Sequence, residues 1–79
     1  MMSSLERLAY MANQIARNFE AQGHDAAVRA TADHIASFWD PRMRAEAQAL
    51  LARGEGALSP TAAEAFALLR DRAAQAGAR

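Results

Sequence analysis

Phe38-Trp39-Asp40-Pro41-Arg42-Met43-Arg44 joins one apolar helical pattern to the next. Asp is a strong helix N-cap, and Pro is tolerated at the first helical position because it has no N–H to leave unpaired. The residue before a proline is pushed out of the helical region, so Trp39-Asp40 reads as a corner between two helices. Upstream of it, Val28, Ala32, Ile35, Phe38 and Trp39 form the apolar face of a helix predicted over about residues 25–39. Arg29 and Asp33 form an outward pair four residues apart on that helix. Downstream, Met43, Ala47, Leu50 and Leu51 point inward from a helix over about residues 41–53 that ends at Gly54.

The same device recurs at Leu58-Ser59-Pro60, after a Gly54-Glu55-Gly56 loop. Ser59 as N-cap and Pro60 behind it open a helix over about residues 60–76 that buries Ala62, Ala65, Phe66, Leu69 and Ala73. At the other end, Ser3-Ser4-Leu5-Glu6 has the form of a capping box. It starts a helix over about residues 4–22, with Leu5, Leu8, Ala12, Ile15 and Phe19 on one stripe. Gln22-Gly23-His24-Asp25 breaks it, with Gly23 closing one helix and Asp25 capping the next. No strand pattern, repeat or low-complexity linker interrupts the series. The fold class is therefore all-α, a compact bundle of four short amphipathic helices, one domain over residues 1–79 with frayed ends at 1–3 and 77–79.

Composition narrows the function. In 79 residues, nine basic side chains balance nine acidic ones, which is not the charge that phosphate-dominated nucleic-acid binding requires. Without cysteine there is no disulfide, thiol nucleophile, Cys-based zinc site or iron–sulfur ligation. Apolar runs of a few residues fall far short of the roughly 20 that span a membrane, and the first residues lack the pattern of a secretion signal. A cytoplasmic protein is expected. Ala is the commonest residue, favourable for helices but poor in buried area, and a core this small rarely supplies more than about 3–5 kcal/mol. A fold that gains stability from a partner, or from itself as an oligomer, follows.

Catalysis by this chain is not expected. His24 in a loop and His34 on a helix flank stand in different settings, and their neighbours Asp25 and Asp33, adjacent in sequence, do not share a helix face with them. His34 reads as a boundary histidine bonded to backbone. Ser3 and Ser59 read as caps rather than nucleophiles, and Gly54-x-Gly56 lacks the strand and lysine of a phosphate loop. No catalytic, cofactor-binding or metal-binding residue is assigned.

Two surfaces carry the interaction candidates. Arg42 and Arg44 sit beside the positive end of a helix, where each cation is unfavourable by about 0.3–1 kcal/mol. Either Asp40, Asp33 or Glu46 neutralises them, or they reach carboxylates or phosphates on a partner. Trp39 and Met43 would be an apolar anchor or its support, Phe38 core, and Asp40 and Pro41 the corner that aims the arginines. The second surface is the outward face of the first helix: Tyr10, Asn13, Gln14 and Arg17, a polar contact face or a plain solvated one.

These blocks resemble a known family. Met11-Ala12-Asn13-Gln14-Ile15-Ala16 with Phe19, His34-Ile35 leading into Phe38-Trp39-Asp40-Pro41-Arg42-Met43-Arg44, and Gly56-x-Leu58-x-Pro60 look like the delta subunit of cytoplasmic NAD-dependent formate dehydrogenases. The matching blocks run from about Leu5 to Leu69; one departure is Asn18, where a second aromatic beside Phe19 is expected. The resemblance implies a small accessory subunit of a complex that oxidises formate with molybdenum or tungsten pterin, iron–sulfur clusters and FMN, none of them held by this chain. Its implied partner is the large catalytic subunit, and its implied task assembly, cofactor insertion or stabilisation. Two other readings stand beside it. A self-associating helical module would form homo-oligomers unrelated to formate, and a nucleic-acid binder would use the Asp40-Pro41 corner like a helix-turn-helix, against the balanced charge.

Overall fold

Three of the four helices begin where a short polar side chain satisfies backbone N–H groups that have no intrahelical partner. A computed structural model describes residues 2–54 and 57–77. Helix α1 spans Ser4–Phe19, and a 3-10 turn over Glu20–Gln22 extends it. Ser3 Oγ accepts from the Glu6 N–H at 3.1 Å while Glu6 Oε1 accepts from the Ser3 N–H at 3.0 Å, which is the predicted capping box. Helices α2 (His24–Phe38), α3 (Pro41–Arg53) and α4 (Pro60–Gly77) follow. Ser59 Oγ accepts from the Ala62 N–H at 3.2 Å at the start of α4. Gly54 closes α3 in the left-handed region, φ 62°. Glu55 and Gly56 of the predicted loop, with Ala78 and Arg79 of the tail, lie outside the described residues.

One boundary differs from the sequence reading. Helix α2 starts at His24, and its cap is Gly23, at φ 97° and ψ 155°, rather than Asp25. That conformation is essentially restricted to glycine, and it turns the chain so tightly that Asp25 falls inside the first turn. There its charge still favours the positive end of the helix.

Alanine dominates what the helices bury. Ala9, Ala12 and Ala16 of α1, Ala27 and Ala32 of α2, Ala47 of α3 and Ala62 and Ala65 of α4 are all buried. Such small side chains let helix axes approach closely, and α2 packs most extensively on α4. The bulk comes from Leu8, Ile35, Trp39, Leu50 and Phe66, with Leu5, Ile15, Met43, Leu51, Leu58 and Leu69 closing the edges. The predicted faces of α1, α3 and α4 largely meet in this cluster, except that Ala73 is exposed. The Cα radius of gyration, 11.9 Å, matches the roughly 12 Å of a compact chain of this length. Among the described residues there is no strand, and no helix is long and apolar enough to cross a membrane. The bundle is all-α.

Candidate interaction site

The corner between α2 and α3 forms as the sequence dictates. Asp40 takes extended backbone, φ −72° and ψ 168°, and its Oδ1 accepts from the Met43 N–H at 2.8 Å, with Pro41 next in the first turn. Trp39, also extended, keeps its N–H on the Ile35 carbonyl at 3.0 Å. Its indole turns inward, 5 % exposed, and meets Phe66 edge-on at a centroid distance of 6.1 Å. Trp39 is thus the support of the corner and not a free contact surface.

Phe38 behaves in the opposite way. Expected in the core, it is 74 % exposed. The space under the last turn of α2 is filled by the Trp39 ring, folded in from beyond the helix end, so the adjacent phenyl stays on the flank. There it lies against the imidazole of His34, centroids 4.7 Å apart and planes tilted by 39°. His34, expected to bond backbone, instead makes this ring contact.

Of the two readings for Arg42 and Arg44, internal neutralisation finds no support. Both are exposed, and neither side chain makes a hydrogen bond or ion pair among the described residues. The three acids that would have neutralised them are placed otherwise. Asp40 caps α3, and Asp33 accepts from Arg72 of α4 at 3.0 Å, in place of the expected Arg29 pair. Glu46, half-buried, makes no ion pair with either. A shallow cleft between α1 and α3 adds a third cation without an ion pair: Arg7 lines it together with Arg42, Met11 and Met43, and with the acids Asp40 and Glu46. The spacing of Arg7 carried no signal of this, since only the packing of α1 on α3 brings it there.

The second predicted surface separates into parts. Tyr10 is exposed, and its hydroxyl accepts from Gln14 Nε2 at 2.8 Å. Arg17 is exposed without an ion pair. Asn13 belongs to the fold instead. Its Nδ2 donates to the Ala57 carbonyl at 2.9 Å, and its Oδ1 accepts from the Ser59 N–H at 2.8 Å. It clamps the entry to α4 against α1, so its amide is already engaged.

Other tertiary links were invisible in the sequence. His24 Nε2 and Glu64 Oε2 stand 2.6 Å apart and tie the start of α2 to α4. Gln48 Nε2 donates to the Phe66 carbonyl at 3.0 Å. Among the described residues, no three His, Asp or Glu side chains come together as a metal site would need. The corner thus presents the Phe38 ring against His34 and, on the capped first turn of α3, two arginine side chains without a partner among the described residues.

Neither the comparison with curated proteins nor that with solved structures returns a match. The family model described as the NADH-dependent formate dehydrogenase delta subunit FdsD matches residues 7–66. That span holds the corner, the clamp and all of α2 and α3, so the matched region is the part of the chain that builds both surfaces. The chain belongs to the formate dehydrogenase delta subunit family.

Proposed function

We propose that this chain is a non-catalytic accessory subunit that binds the large catalytic subunit of a cytoplasmic formate dehydrogenase and supports its assembly, cofactor insertion or stability. The observation that carries the proposal is the exposed, unpaired state of the Arg42 and Arg44 side chains on the capped first turn of α3. Both positions carry a charge that helix electrostatics disfavours in the free chain, and a facing carboxylate turns that cost into binding energy. Tyr10, Gln14 and Arg17 form a second contact face, and Met43 backs the arginines from the edge of the core.

The iron–sulfur clusters of such complexes do not fit this chain's donor set. It has no cysteine for a cluster, and its two histidines are ten residues apart, one beside Glu64 and one against Phe38. Those groups belong to the other subunits.

The test is a tagged pull-down from the native host at moderate salt, with formate-dependent NAD reduction assayed in the eluate. Wild type is expected to bring down the large subunit. Reversing both arginines, Arg42→Glu with Arg44→Glu, should weaken association about tenfold or more at low salt, the difference shrinking as ionic strength rises. Unchanged co-purification would remove the arginines from the interface. Failure of the wild type to retain the large subunit, with concentration-dependent mass in the isolated chain, would favour a self-associating module.

A further inference from the structure

A shallow groove runs between α3 and α4, lined by Pro41, Arg44 and Ala45 from one helix and Leu69, Arg70 and Ala73 from the other. Pro41, Arg44, Ala45 and Gln48 follow at i, i+3, i+4 and i+7, so they share one face of α3 over about two turns. On α4 the apolar stripe of Ala62, Phe66, Leu69 and Ala73 keeps helical spacing, but its cover ends early. Phe66 is buried, Leu69 half-buried and Ala73 exposed, and every described residue of α4 beyond Leu69 is exposed. The stripe thus continues past the elements that bury it. We infer that this groove seats a helix of the large subunit whose apolar stripe is flanked by carboxylates. This rests on the accessory-subunit reading and names the partner surface that it requires.

Charge complementarity selects that occupant. Arg44 stands on the α3 wall, and its side chain has no partner among the described residues. Arg70 stands on the α4 wall, with Nε 3.3 Å from Asp71 Oδ1. That pair joins exposed chain neighbours and is worth little, and the guanidinium has further N–H donors for a second carboxylate. No carboxylate of a described residue lines the groove. Asp40 and Glu46 line the cleft on the opposite, α1 side of α3, and Asp33 accepts from Arg72. The floor calls for apolar contact: Ala45, Leu69 and Ala73 have no polar side-chain group, and Gln48 spends its Nε2 on the Phe66 carbonyl at 3.0 Å. An apolar floor along about two turns suits the i, i+3, i+4, i+7 anchors of an amphipathic helix docked in a groove. Cations on both walls place carboxylates on the flanks of that helix. A nucleic-acid backbone would leave the apolar floor facing phosphates. A two-fold contact with a second copy would lay the groove on itself, with two cations and no lining carboxylate on either side.

The experiment titrates the full-length chain against purified large subunit at low and high salt. Ala45→Gln with Ala73→Gln fills the groove without adding charge, and should weaken binding about tenfold or more at either salt concentration. Arg70→Glu should weaken it about tenfold at low salt and less at high salt, because the lost contact is electrostatic. All three positions are exposed on helices, and glutamine and glutamate are good helix formers. Helicity and melting temperature should therefore stay at wild-type values in both variants. Wild-type affinity in both, alongside a loss in the double arginine reversal, would overturn this inference and leave the accessory-subunit reading in place. A loss in only one of them would remove either the flanking carboxylates or the apolar seat, and would overturn the inference as well. No binding by the wild type would overturn both readings. A loss of self-association or of duplex DNA binding in Arg70→Glu, with binding to the large subunit intact, would assign the groove to a second copy or to nucleic acid and overturn the inference.

Discussion

Removing the Asn13 amide tests whether this residue belongs to the fold or to a contact face. Its two hydrogen bonds, at 2.9 and 2.8 Å, reach Ala57 and Ser59, and Ser59 is also the residue that caps α4. In Asn13→Ala, water can replace the amide at the exposed Ala57 carbonyl, so that bond accounts for little. The Ser59 N–H is half-buried and loses its acceptor, at a cost of about 1–3 kcal/mol. Against a core worth about 3–5 kcal/mol in all, this is a large fraction. For a domain of this size it lowers the melting temperature by roughly 5–15 °C. Asn13→Asp should lose less, because one carboxylate oxygen still accepts from Ser59, while the other faces the Ala57 carbonyl and is repelled. Protonation converts that second oxygen into a donor, so the deficit of Asn13→Asp relative to wild type should shrink on acidification. Thermal unfolding followed by far-ultraviolet circular dichroism, at one protein concentration, measures all three chains. A melting temperature for Asn13→Ala within a degree of wild type would refute the clamp and return Asn13 to the exposed face of α1.

Two further outcomes follow from single side chains. Thr31 is fully buried and its Oγ1 has no hydrogen-bond partner among the described residues, so Thr31→Val should raise stability by about 1 kcal/mol. A lower denaturant midpoint would show that the hydroxyl is bonded within α2. The Glu6 carboxyl is held below its ordinary value by the Ser3 backbone N–H first and the Ser3 side chain second. A lowered folded value means that its contribution is present above the usual glutamate range and is lost as pH falls through the folded value. Amide protection in the first turn of α1, relative to the intrinsic exchange rate at each pH, should fall across that acid window, and Glu6→Gln should abolish the step; an unchanged profile in the variant would detach it from the capping box.

What the sequence disclosed and what it concealed divide by range. The starts of α1, α3 and α4 were legible because each depends on groups within three positions: Ser3 with Glu6, Asp40 with Met43, Ser59 with Ala62. The start of α2 was misplaced because Asp25 is a better cap by type, whereas the turn there is set by the backbone freedom of Gly23. The clamp at Asn13 and the pairs His24–Glu64 and Asp33–Arg72 join residues about 40 positions apart, and no periodicity reports such contacts. Phe38 and Trp39 posed a different difficulty. Both suit an apolar stripe, but the corner has room for one ring, and only the backbone leaving the helix at Trp39 decides which. The arginines were legible as a conflict with the helix dipole, and their freedom from internal partners was not.

That division at the corner bears on why so small a chain would use a partner. Trp39 and Phe38 are consecutive, yet one supports the bundle through Phe66 and the other faces outward. On the proposed reading the contact surface is built directly on a core residue, and its geometry is only as firm as the packing beneath it. A core rich in alanine leaves that packing thin. Binding restores the margin: a partner present at a hundred times its dissociation constant adds about 2.7 kcal/mol to folding, comparable with what a core of this size supplies. Substitutions that loosen Trp39 should then weaken the complex as well as the fold, because both depend on the same turn. Substitutions at Arg42 or Arg44 should separate the two, weakening association while the free chain keeps its stability. In the arginine reversals stability should even rise slightly, since an acid in the first turn of α3 suits the dipole that the native charges oppose.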